Sequence, residues 1–95
     1  MATVLLAAAA TAAQSASFAL AAGANTTLTP VPPGTAAPSM AETAWCYIEK
    51  QDAGGNWRVE GSALTLPGPA IVLDAAGTYR INRPLQTNSI GVDRD

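Results

Sequence analysis

The sequence predicts an all-β chain, folded as a small antiparallel β-sandwich of about seven or eight short strands. Three observations carry that expectation. Apolar residues recur at every second position in short runs, as where Tyr79 and Ile81 are interleaved with Thr78, Arg80 and Asn82. Turn formers interrupt the chain at close intervals, at Ala22-Gly23-Ala24-Asn25, Asp52-Ala53-Gly54-Gly55, Pro67-Gly68-Pro69 and Asp74-Ala75-Ala76-Gly77. No segment carries a convincing apolar stripe at helical spacing. A small barrel would share these signals.

The 95 residues make one domain, 1–95. A chain of this size buries roughly 60–65% of its unfolded surface. Its hydrophobic fraction of 48% is rich in alanine, so the core must come from Val, Leu, Ile, Phe, Tyr and Trp. Modest stability and support from a neighbouring molecule are expected. Formal charge is −2 and 13% of residues are charged. That is too sparse and too acidic for a phosphate-binding surface, so nucleic acid is not an expected partner. Low charge protects solubility weakly, which suits a protein that ends up assembled. Cys46 is the only cysteine, so no internal disulfide can form.

Taken in order, Met1 to Asn25 contains no charged residue and many alanines. A secretory signal would have a basic start, which is missing, although Ala19-Leu20-Ala21 offers a cleavage site. A helix is favoured by alanine propensity but lacks a stripe. A membrane-spanning helix is too interrupted and too weakly apolar, so no membrane is expected. Strands fit better. Thr3 to Ala7 makes one, and Ala16, Phe18 and Leu20 line one face of another. After the turn at residues 22–25, Thr26 and Leu28 lie on a return strand whose other face carries Thr27 and Thr29.

Pro30, Pro32, Pro33 and Pro38, with Gly34, predict a long Pro-rich loop at 30–43, either a connector or a contact arm. A hairpin follows at 44–60, with Ala44 to Ile48 outgoing and Asn56 to Glu60 returning. The outgoing strand is apolar on both faces, which predicts a central strand. Trp45, Tyr47 and Trp57 make this hairpin the expected heaviest part of the core, with an aromatic platform for sugar as the rival role. Ala63 to Leu66 is a short strand. Residues 69–83 read as a second hairpin, in which Ile71 and Leu73 fold over a type I turn at Asp74–Gly77 toward Tyr79 and Ile81. Ser89-Ile90-Gly91-Val92 closes the fold, and Asp93-Arg94-Asp95 reads as a solvated end.

Chemistry has little to stand on. Histidine is absent, which removes the commonest general base and the commonest neutral metal ligand. Cys46 sits in an apolar strand without an activating imidazole and reads as structural. Of the carboxylates Glu42, Glu49, Asp52, Glu60, Asp74, Asp93 and Asp95, the two at 52 and 74 are explained by turns. Glu49 and Glu60 are explained by solvated strand faces. Asp93 and Asp95 fall short of the oxygens that calcium needs. Gly54-Gly55 precedes a strand and reads as a turn, not a phosphate cradle. No catalytic, cofactor-binding or metal-binding residue is expected, and no cofactor.

Several segments resemble small virion structural proteins of tailed bacteriophages, of the capsid decoration or head-fibre type. They are Ser17 to Gly23 with the Thr-rich strand after it, Trp45 to Glu49 with its Gly-rich turn, Gly68 to Arg80, and Ile90 to Asp93. The Gly-Thr-Tyr-Arg turn exit also recurs in immunoglobulin-like modules. The resemblance implies an immunoglobulin-like β-sandwich without catalytic activity. Such a protein would be made in the host cytoplasm and located on the virion. There it would dock on the major capsid protein or other virion proteins, alone or as a homo-oligomer. The Pro-rich loop and the N-terminal strand are the expected contact elements, since an exposed strand edge invites pairing. The competing expectation is a secreted or cell-surface binding module, for carbohydrate among other ligands, with a mature chain starting near Ala22.

Overall fold

The computed structural model describes residues 3–34 and 43–95. Over these the chain forms ten strands and no helix. They are β1 (Thr3–Ala9), β2 (Ala13–Gln14), β3 (Phe18–Leu20), β4 (Thr26–Val31), β5 (Ala44–Gln51), β6 (Trp57–Val59), β7 (Leu64–Leu66), β8 (Ile71–Leu73), β9 (Gly77–Arg83) and β10 (Ile90–Arg94). Every pairing is antiparallel. One sheet runs β1-β10-β4-β8; the other runs β2-β9-β5-β6, with β3 also on β9 and β7 also on β5. The fold is the expected small all-β sandwich.

Alternation fills the space between the sheets. Leu6, Leu28, Leu73, Ile90 and Val92 enter from the first sheet. Phe18, Leu20, Ala44, Cys46, Ile48, Leu64, Leu66, Tyr79 and Ile81 enter from the second. Leu28, Cys46, Leu64, Ile81, Ile90 and Val92 are sealed from solvent. At about 1.5–3 kcal/mol for each large side chain fully buried, this cluster is the main stabilising term.

Two expected turns do something else. Residues 69–83 are not a hairpin: β8 pairs with β4 in the first sheet, and β9 pairs with β3, β2 and β5 in the second. Asp74 to Ala76 therefore carries the chain across the sandwich. The Tyr79 hydroxyl donates to the Ala75 carbonyl at 2.8 Å, pinning the crossing as a tyrosine corner does in immunoglobulin-type sandwiches. The turn after β3 also crosses, since β3 lies on β9 while β4 lies on β8. The two crossings run side by side, and stacked Phe18 and Tyr79 rings, 5.9 Å apart, close that end of the interior.

The Pro-rich loop begins later than expected. Pro30 is buried in β4 opposite Val92, and β4 continues to Val31. Thr27 and Asp95 exchange both backbone hydrogen bonds, so alternation makes Pro30–Val92 a non-hydrogen-bonded pair. The missing N–H of Pro30 thus faces away from β10, beyond the last residue that β8 pairs. Of the predicted loop at 30–43, residues 32–34 and 43 are irregular as expected, and residues 35–42 lie outside the described residues.

The predicted solvated end is held in the sheet: Asp93 and Arg94 belong to β10 and are half-buried, and only Asp95 is exposed. Beyond the Thr27–Asp95 pair, the Arg94 guanidinium lies 4.5 Å from the Phe18 ring and donates to the Thr26 hydroxyl. A buried arginine was also unforeseen. Arg83 is 4% exposed and donates to the carbonyls of Thr11, Ala7 and Ile90 at 2.7–2.9 Å. It reaches across from β9 to irregular backbone where β1 changes register between Leu6 and Ala9. Gly91 lies under the same irregularity, where a Cβ would come within 2.7 Å of the Leu6 carbonyl oxygen.

Candidate docking face

β5 is central, as its apolar character on both faces suggests, with β9 on one side and β6 and β7 on the other. Its parity overturns the expected aromatic core. Ala44, Cys46 and Ile48 point inward, whereas Trp45 and Tyr47 point to solvent and are 37% and 36% exposed. Trp57 is half-buried and Val59 is exposed on β6. The heaviest aromatics of the chain lie on the outside of the second sheet.

The position of Trp45 is set by its backbone. On one side β7 places Thr65 opposite it. On the other side β9 pairs with β5 only as far as Asn82 opposite Tyr47, and the Gln86 side chain takes the vacated place. Its Oε1 accepts from the Trp45 N–H at 2.9 Å, and its Nε2 donates to the Trp45 carbonyl at 2.8 Å. Asn88 Nδ2 donates to the Thr43 carbonyl one step further out. An amide side chain thus imitates a neighbouring strand, and the indole stands on a fixed ladder.

Beside Tyr47 lies a charged stack. Glu49 lies on this outer face but is not solvated: it is buried beneath its partners, with its Oε1 2.7 Å from Arg80 Nε and its Oε2 accepting from Asn82. The Arg80 guanidinium lies 4.4 Å from the Trp57 ring centroid. Guanidinium, carboxylate and indole hold one another in register, a pairing Arg is suited to by its planar charge. Registers carry this face onward through Thr78 and Ala19.

The other candidates fall elsewhere. Asp52 shapes the β5–β6 hairpin, which forms as expected: its Oδ1 accepts from the Gly54 and Asn56 N–H groups, and Oδ2 pairs with Arg58 at 2.8 Å. The Arg58 hydrogen bond, with help from those N–H groups, holds the Asp52 carboxyl below its ordinary value. Gly55 takes a φ of +84° in this turn, so Gly54-Gly55 is turn backbone as read. Glu60 and Asp74 are exposed, and Glu42 lies outside the described residues. Cys46 is fully buried, and that burial pushes its thiol up to about 11 against the pull of Arg83. Its thiol is accordingly the protonated, unreactive form at neutral pH. Asp93 and Asp95 belong to the first sheet's ladder with β4. Among the described residues no three acidic, Cys or His side chains gather into a metal-binding group.

The face thus presents two large rings on a rigid sheet beside a fixed ion pair. No protein-family model, curated protein or solved structure matches the chain.

Proposed function

We propose that this chain is a non-catalytic structural protein of tailed-phage virions, docking on the outside of an assembled capsid through the open face of its second sheet. The observation that carries the reading is the outward placement of Trp45 and Tyr47 on the central strand, with Arg80 and Glu49 beside them. Aromatic and arginine side chains on pre-ordered backbone lose little entropy on contact and dominate interface energies. The resemblance of residues 17–23, 45–49, 68–80 and 90–93 to decoration and head-fibre proteins supports a capsid as the partner. Each bound copy then favours the assembled shell by mass action.

The test is to purify particles to constant infectivity and measure the copies of this chain per particle. A reproducible stoichiometry that survives washing is expected; its absence from the particles sinks the proposal. A second reading rests on the same two rings, which would also stack on a sugar. It predicts binding on a glycan array and particles that lack the chain.

A further inference from the structure

We infer that the outer edge of β1 pairs antiparallel with β1 of a second copy of this chain, joining two four-stranded sheets into one across a two-fold axis. Among the described residues β1 pairs only with β10, so its other edge is open. The remaining sheet margins are short. β8, β6, β7 and β3 have three residues each and β2 has two, against seven in β1. Pro67 and Pro69 flank β7 and β8, and Arg58 and Glu60 mark β6. These are the devices by which sheet edges avoid pairing, and Thr3–Ala9 carries neither proline nor charge.

The occupant follows from charge. A two-fold axis sets a strand beside itself, so any charge near the axis would face its own copy. No Asp, Glu, Lys or Arg occurs before Glu42. Self-pairing of β1 therefore brings no like charges of its own together. Val4, 64% exposed and opposite Asp93 on the outer face, would meet its mate across the new ladder. The β1 irregularity limits the length, because the Ala7 carbonyl is held inward by Arg83 at 2.8 Å. Pairing lies within residues 3–6 and centres on Val4. A contact of that size falls below a standard stable interface, so the dimer should form in the micromolar range. This inference uses the first sheet's edge and is independent of the capsid reading, which uses the second sheet's face.

The experiment is sedimentation velocity on the full chain from about 1 to 300 μM, beside Val4→Lys and Trp45→Ala. The wild type and Trp45→Ala should pass from monomer to dimer over that range, and Val4→Lys should weaken dimerisation at least tenfold. Amide exchange on the wild type supplies a second measurement should Val4→Lys fold poorly: residues 3–6 should gain protection as concentration rises. A chain monomeric throughout overturns the inference. So does a dimer that Val4→Lys leaves equally tight, or one whose formation leaves the exchange at residues 3–6 unchanged.

Discussion

The two outer faces of the sandwich hang on one interior yet differ in kind. The first sheet shows exposed Thr29, Val72 and Val4 with half-buried Thr27 and Asp93, small or β-branched side chains suited to a strand surface. The second shows Trp45, Tyr47, Trp57 and the Arg80–Glu49 pair. Burial of the interior demands only alternation, and alternation is satisfied equally by threonine or by tryptophan on the outside. Folding therefore accounts for the first face and leaves the second unexplained. Partly exposed large rings on backbone braced by Gln86 are the feature on which the proposed contact rests.

Substitutions can break or sharpen that contrast. The largest effect is expected from Tyr79→Ala, which removes the ring stacked on Phe18 and the hydroxyl pinning the crossing between sheets. Loss of about 3–5 kcal/mol in chemical denaturation should release both faces together. Arg80→Ala should cost about 1–2 kcal/mol, since it strips Glu49 of its ion-pair partner, leaving only Asn82, and Trp57 of its cover. Tyr79→Phe, which removes only the bond to Ala75, should cost about 1 kcal/mol. On the first face, Asp93→Ala should stay within about 0.5 kcal/mol. Equal costs for Arg80→Ala and Asp93→Ala would erase the distinction.

Titration addresses the interior that both faces share. Burial raises the Cys46 thiol from 9.0 to about 11, so the neutral thiol belongs to the folded state and the thiolate to the unfolded one. Stability from this group is complete below pH 9.0 and falls as pH rises toward about 11. Cys46→Ser should flatten that alkaline fall. At neutral pH a thiol reagent should label Cys46 only at the rate of global opening. Asp52 has the opposite sign: its lowered carboxyl supports the hairpin above 3.8 and loses that support as pH falls further.

The strands themselves were legible, because alternation in β3, β4, β9 and β10 is a local property. What the strands pair with was less so. The turns at Asp52 and Asp74 look alike in sequence, but one closes a hairpin and the other crosses the sandwich. A type I turn at 74–77 would set Leu73 opposite Thr78 and Ile71 opposite Arg80, pairing core positions with solvent positions. Type I turns also splay hairpin strands. Those two conflicts were readable. For β5 the deciding signal was parity: Glu49 and Gln51 share the face of Trp45 and Tyr47, which marks that face as the outer one. The role of Arg83 was out of reach. Its parity with Tyr79 and Ile81 places it inside, but two of its carbonyl partners, Ala7 and Thr11, lie more than 70 residues away.

The central proposal is that the second face is a surface for another molecule. The direct measurement is occupancy of Trp45→Ala/Tyr47→Ala on purified capsids, quantified against wild type, with thermal unfolding of both proteins run in parallel. Unfolding within a few degrees of wild type, together with occupancy reduced at least tenfold, is the predicted result. Full occupancy by a folded double variant would contradict it.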